Sequence, residues 1–256
     1  MIDSTPCLGI IGGTGLTRLP DLTVTRREVM HTPWGEPSAP LVHGEMCGRH
    51  VVFLARHGAH HTIPPHQVNY RANVWAMKNA GVTAVVAVAA VGAIHREMLP
   101  GSIAVPDQII DYTWSRANTY FEGDHLDEVV HVDMTEPYDA RMRDELIAAA
   151  GRVEAPCVDF GTYCATQGPR LETAAEINRL ERDGGHMVGM TGMPEAVLAR
   201  EQGLRYACLA VMANWGAGRS DGPITMEEIE HHLLTGMGHA RRVIADLIGH
   251  WPLEQD

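Results

Sequence analysis

Residues 9 to 16 read Gly9-Ile10-Ile11-Gly12-Gly13-Thr14-Gly15-Leu16, a glycine-rich turn directly after an apolar run. Such a turn aims backbone N–H groups at one point, and Thr14 adds a hydroxyl, so the segment suits an oxyanion such as phosphate. As a dinucleotide fingerprint it is poor, because Arg18 stands where the third glycine belongs. A tight turn without a ligand is the plain alternative.

Four later segments carry comparable chemistry. In Leu54-Ala55-Arg56-His57-Gly58-Ala59-His60-His61-Thr62, Arg56 offers a permanently charged fork suited to phosphate, and His57 is a candidate second donor. His57, His60 and His61 also suggest a metal-dependent hydrolase, although no partner group stands at ligand spacing elsewhere. Ala89-Ala90-Val91-Gly92-Ala93 ends an apolar run in small residues. These let a ligand approach the backbone and equally suit strand packing. Thr166-Gln167-Gly168-Pro169-Arg170-Leu171-Glu172-Thr173 and then Gly189-Met190-Thr191-Gly192-Met193-Pro194-Glu195 break the chain before helices, as pocket walls or as capped loops. Ala213-Asn214-Trp215-Gly216-Ala217-Gly218 leaves an apolar run with an Asn that is either a turn former or a ligand reader.

Elements to position these segments are legible. Runs rich in β-branched and small apolar residues at 7–11, 50–55, 83–90, 102–106 and 207–213 predict buried strands. Amphipathic stretches at 67–79, 140–151, 172–182, 194–202 and 225–248 predict helices, with Pro194 in a first turn and Gly203 as a stop. Strands alternating with helices predict an α/β layered fold. The stretch 109–137, rich in Asp, Tyr and His, reads as longer loops. With 256 residues and no composition shift, a single domain over 1–256 is the simplest organisation. A net charge of −12 argues against a nucleic-acid partner and for small molecules. No leader pattern and no apolar run near 18 residues is found, so neither a signal peptide nor a membrane span is expected. Five scattered cysteines predict free thiols in a reducing compartment, hence a cytoplasmic protein.

Gly12-Gly13-Thr14-Gly15, Arg56-His57-Gly58 followed by His61-Thr62, Val68-Asn69-Tyr70-Arg71-Ala72-Asn73, Gln167-Gly168-Pro169-Arg170, and Met190-Thr191 before Pro194-Glu195 occur in this order. Together they resemble the trimeric purine nucleoside phosphorylase family, which includes the methylthioadenosine phosphorylases, from about residue 9 to about residue 248. The resemblance implies a central mixed sheet flanked by helices, a homotrimer, and cleavage of an N-glycosidic bond by inorganic phosphate. Phosphate is then a co-substrate, with no metal and no organic cofactor. The resemblance sets phosphate against Thr14, Arg56, His57 and Thr191, near the backbone of Ala90. Met190 lies against the sugar, Leu171 lies near the base, and His131 is lent to the neighbouring subunit's 5′ site. Ala89 departs from the methylthioadenosine branch, which has a hydroxyl there, and one phosphate donor is lost.

Within that frame the base can be argued physically. Phosphorolysis puts electrons on the leaving purine, which a proton on N7 stabilises. A 6-amino purine with N7–H presents two donors and suits an Asp. A 6-oxopurine with N7–H presents one donor and the acceptor O6, and a neutral amide matches both. Asn214 stands where the methylthioadenosine branch has Asp. Asn also pairs with ground-state adenine, so its effect falls on the transition state. Glu172 matches the N1–H of hypoxanthine and would face the bare N1 of adenine; its alternative is a helix-start carboxylate favoured by the dipole. At the 5′ end, Met226 replaces the His that ordinary purine nucleoside phosphorylases use for the 5′-hydroxyl. Met226 and Ile229 share a helix face and suit a methylthio group, unless Met226 merely fills the core. A 6-oxopurine reader joined to a methylthio reader predicts 5′-methylthioinosine as substrate. The alternatives are methylthioadenosine or a broad range of 6-oxopurine nucleosides.

Overall fold

The structure, a computed structural model, describes residues 7–123 and 128–251. Its strands are β1 (Cys7–Gly12), β2 (Thr23–Glu28), β3 (Leu41–Met46), β4 (Arg49–Ala55), β5 (Val82–Ala93), β6 (Ile103–Ala104), β7 (Gln108–Asp111), β8 (Cys157–Val158), β9 (Thr162–Ala165), β10 (Met187–Gly189) and β11 (Arg205–Trp215). Among the described residues they form one mixed sheet in the order β2-β3-β4-β1-β5-β10-β9-β7, with β11 paired to β5 and β6, and β6 to β8. Helices α1 (Tyr70–Asn79), α2 (Ala140–Arg152), α3 (Ala174–Arg182), α4 (Gly192–Glu201) and α5 (Met226–His250) complete the chain. The expected α/β class, with a mixed sheet flanked by helices, is what is found.

The alternation of β5 and β11 explains the layers. Val85, Ala87, Ala89 and Val91 of β5 join Tyr206, Cys208, Ala210 and Met212 of β11 in the core that includes Met77 of α1 and Leu198 of α4. The intervening Ala84, Val86 and Val88, with Ala207, Leu209 and Val211, pack under α2 and α5 against Met142, Leu146, Met237 and Ile244. Both faces are buried, so these strands read as continuous apolar runs. The expected strands over 7–11, 50–55, 83–90 and 207–213 form with slightly wider bounds.

The sheet also creates the site. Along one edge of β5, β1 pairs as far as Ala87, whereas the antiparallel β10 takes only Gly92 and Ala93. The opposite edge is paired to β11 from Ala84 to Ala93. Val88 to Val91 therefore lie in a split between β1 and β10, and the glycine turn after β1 opens onto it. Gly13 must be glycine there, since a Cβ would stand 2.7 Å from the Val88 carbonyl oxygen and 2.8 Å from Arg56 Nη1.

Several boundaries differ from expectation. The strand expected over 102–106 pairs only at Ile103–Ala104, and Pro106 has no N–H to extend it. The helix expected from 67 starts at Tyr70, where the Asn69 side chain accepts the Ala72 N–H. The helix expected from 172 starts at Ala174, because Thr173 and Glu176 form a reciprocal capping box. At α4, Met193 has extended backbone angles (φ −121°, ψ 141°), so the regular helix begins at Pro194 as expected. β2 was not foreseen: it is an edge strand with an exposed, charged sequence, TVTRRE. β3 and the short strands β7 to β10 escaped notice as well.

Candidate active site

A cavity of about 480 Å³ opens at the split in the sheet. Its floor is Gly13, Thr14 and the end of β5. Arg56 and His57 enter from the end of β4, Met190 and Thr191 from the turn between β10 and α4, and Asn214 from the end of β11. Leu171 and Glu172 come from the loop before α3, and Met226 and Ile229 from the first turns of α5. Of the site residues read from the sequence, His131 does not line this cavity and is exposed; nor does His60 of the histidine group.

Arg56 is 1% exposed and its guanidinium is largely committed. Nε and Nη2 donate to Glu195 Oε2 and Oε1 at 2.7 and 2.8 Å, and Nη1 donates to the Val88 carbonyl at 2.9 Å. Burial opposes the charge of Arg56, but the Glu195 carboxylate and its hydrogen bonds outweigh it, so the group stays ionised. Three of its five N–H donors are used, which leaves two for an anion. Thr191 precedes the extended Met193 and makes no side-chain capping bond; its side chain lies within hydrogen-bond reach of the Tyr163 hydroxyl. Thr14 Oγ1 lies 3.4 Å from His61 Nε2, and His61 itself lines the cavity. Sequence reasoning missed Glu195 as the partner of Arg56, since a carboxylate in the first turn of a helix looks like an ordinary dipole partner.

His57 is not the donor it was expected to be. Burial, then the neighbouring Arg56 charge, push its imidazole down to about 4. The ring is neutral at pH 7, and Nδ1 lies 2.8 Å from the Ile63 carbonyl oxygen. A carbonyl only accepts, so Nδ1 carries the proton and Nε2 is an acceptor, suited to the hydroxyl of hydrogen phosphate. In the unfolded chain this imidazole titrates at its ordinary 6.5. Between pH 6.5 and 4 the unfolded state thus binds more protons, and stability falls as pH falls, by about 3 kcal/mol from this group when pH 4 is reached. Urea titrations across that window should show a flatter acid limb for His57→Gln than for wild type. Parallel limbs would refute the assignment.

Asn214 Nδ2 lies 2.6 Å from the carbonyl oxygen of Trp215. That acceptor settles the orientation of the amide, leaving Oδ1 and one N–H for a ligand. The β11–β5 register shifts between Met212 and Asn214, and this bulge lets the consecutive residues Ala213 and Asn214 both line the cavity. Glu172 precedes the Thr173 cap, and the first-turn carboxylate of α3 is Glu176. Its alternative reading as a helix-start carboxylate is therefore set aside. Glu172 Oε1 instead accepts from Thr166 Oγ1 at 2.8 Å.

Met226 is 67% exposed and is not core filler. With Ile229 and the buried Leu233 it forms an apolar cavity wall along one face of α5. Leu233 was missed, although its spacing of four from Ile229 continues the face. His60 does not line the cavity, and among the described residues no three His, Cys, Asp or Glu side chains are grouped as metal ligands.

A family model described as the phosphorylase superfamily matches residues 8–249. A Pseudomonas syringae pv. tomato protein named "Probable S-methyl-5'-thioinosine phosphorylase" is 53% identical, over 93% of this chain and 97% of its own length. A 6-oxopurine nucleoside phosphorylase of Pyrococcus furiosus is 44% identical, over 88% of this chain and 85% of that one. Among solved structures, methylthioadenosine phosphorylase from Schistosoma mansoni in complex with adenine is similar at a TM-score of 0.93 and 33% identity, covering 98% of this chain and 93% of that one.

Proposed function

Since this chain belongs to the phosphorylase superfamily, we propose that it cleaves S-methyl-5′-thioinosine with inorganic phosphate, giving hypoxanthine and 5-methylthioribose 1-phosphate. The observation that carries this reading is one cavity lined by two kinds of chemistry: the polar Asn214 and Glu172, and the apolar Met226, Ile229 and Leu233. The similarity to proteins named as S-methyl-5′-thioinosine phosphorylases supports it. In this reading the protein is a purine-salvage pentosyltransferase, cytoplasmic, with one phosphorylase domain over 1–256.

Phosphate occupies the cradle of Thr14, Thr191 and the two remaining N–H donors of Arg56, with its hydroxyl toward His57 Nε2 and its oxygens near the Ala90 backbone. C1′ of the sugar faces it, with Met190 on the sugar side and Leu171 on the base side. The C–N bond loosens through an oxocarbenium-like state as phosphate oxygen bonds to C1′. The base leaves with the C–N electron pair and takes up on N7, through solvent, the proton that hydrogen phosphate gives up; Asn214 Oδ1 accepts that N7–H, the Asn214 N–H donates to O6, and Glu172 accepts N1–H. No metal or organic cofactor enters these steps. A homotrimer belongs to the same reading. His131 is exposed beside the exposed Val129 and Val130 and away from its own cavity, which suits a residue lent to a neighbouring subunit's 5′ site.

The test is purine release from methylthioinosine, methylthioadenosine and inosine in parallel, with and without phosphate. Phosphate-dependent release that favours methylthioinosine is the expected result. Preference for methylthioadenosine would overturn the base reading. Preference for inosine would overturn the 5′ reading in favour of a broad 6-oxopurine nucleoside phosphorylase, the second reading, which the likeness to the Pyrococcus furiosus protein supports. Release without phosphate would overturn phosphorolysis itself.

A further inference from the structure

We propose that Arg116 is a positioning residue for phosphorolysis, clamping the base-reading loop onto the segment that carries the sugar and phosphate contacts. The strands β9 and β10 run side by side up to the pair Ala165–Gly189. One more bond follows, from Thr166 N–H to the Gly189 carbonyl at 2.8 Å. Beyond it the two chains part. One leads through Gln167 to Glu172, and the other through Met190 to Thr191 and α4. Backbone pairing no longer fixes the distance between the group that reads the base and the groups that hold sugar and phosphate.

Arg116 stands at the point where they part. Nη2 donates to the carbonyls of Thr166 and Gln167 at 3.3 and 2.8 Å, and Nε donates to Gln167 Oε1 at 3.2 Å. Nη1 donates to the carbonyls of Met190 and Met193 at 2.8 and 2.7 Å, and lies 3.3 Å from the Tyr70 hydroxyl. The guanidinium carbon sits 5.5 Å from the centre of the Tyr70 ring. One cation thus collects two carbonyls from each diverging chain. Every N–H of the fork is used inside the protein, and Arg116 does not line the cavity. It therefore acts through Thr166, whose hydroxyl holds Glu172, and through the turn that presents Thr191. A lysine has the charge but not the planar fork that spans both chains.

The inference rests on the phosphorolysis reading but not on the choice of nucleoside. Wild type is assayed first on the three nucleosides, and Arg116→Ala and Arg116→Lys are then measured on the one it cleaves with phosphate. A wild type that releases no base with phosphate sinks the function reading; the variants judge Arg116. Misplacement of about 1 Å costs about 100-fold in rate, so kcat per folded enzyme should fall about that far in Arg116→Ala, with smaller changes in KM for either substrate. Arg116→Lys should recover little. Guanidinium ion, added well below denaturing concentrations, should restore kcat of Arg116→Ala with saturation, whereas ammonium should not. A purely structural role would lower the melting temperature and leave kcat per folded enzyme intact, and guanidinium would then only destabilise further. Unchanged kcat per folded enzyme, or no saturable guanidinium rescue, would overturn the proposal.

Discussion

Glu195→Ala is expected to lower the unfolding free energy by about 3–5 kcal/mol, because it leaves the Arg56 cation buried and unopposed. Glu195 is 0% exposed and Arg56 1%. The carboxylate accepts two N–H groups of Arg56 and the Tyr206 hydroxyl, the last at 2.9 Å. Against a total stability of about 5–15 kcal/mol, such a loss empties much of the folded population. It is measured by urea titration at pH 7. The double variant Arg56→Met with Glu195→Leu removes both charges and keeps apolar volume, and it should recover most of the lost stability. Its phosphate-dependent turnover should still be abolished, because the two N–H donors that Arg56 turns to the anion have gone. Recovery of folding without activity separates the pair's structural part from its chemical one. A loss below about 1 kcal/mol for Glu195→Ala would mean that the site relaxes to hydrate Arg56, and the buried-pair account would fail.

Asn214→Asp is expected to shift the ratio of kcat/KM for the 6-oxo over the 6-amino methylthio-nucleoside by about 100-fold toward the amino purine, or about 2.7 kcal/mol of differential transition-state binding. Most of that shift should be loss on the 6-oxo side. The Asn amide now donates to the Trp215 carbonyl at 2.6 Å. An aspartate would set an oxygen against that carbonyl, and O6 of hypoxanthine would lose its donor. Gain on the amino purine is held back by Glu172, whose carboxylate faces the bare N1. Asn214→Asp with Glu172→Ser should therefore move the ratio further than the product of the two single effects, since the residues read one ring. Initial rates on both nucleosides at saturating phosphate give the four ratios. An unchanged ratio in the single variant would sink the account of base reading.

The fold was legible where burial on both faces leaves an unmistakable pattern. β1, β5 and β11 are apolar almost throughout, and α2 and α5 keep a helical period. β2 was not legible, because an exposed edge strand carries TVTRRE and buries too little to show alternation. β10 spans only Met187–Gly189, too short for any period. At the site, the glycine turn, Arg56 and Thr191 were visible as chemistry. Glu195 was not, because its partner lies 139 residues away, and nothing local marks a first-turn carboxylate as the counter-ion of a buried arginine. The state of His57 was also hidden. The carbonyl of Ile63, only six residues on, decides which ring nitrogen carries the proton, but only after the loop has folded back. For Asn214 the sequence suggested a residue that lines the cavity and left out the bulge that presents it.

That bulge has a consequence for descent. Up to Met212, β11 is answerable to two cores at once, and a change at one position must be matched across a helix. At the shift in register Ala213 still belongs to one core and Trp215 packs against the other, but the polar Asn214 between them lines the cavity. Residue 214 answers to the Trp215 carbonyl beside it and to whatever occupies the cavity. A lineage can exchange the base it salvages through one or two substitutions at the rim, while the packed interior drifts under separate constraints. Relatives that share this scaffold and differ in the purine they release can diverge without passing through an ancestor that fails to fold.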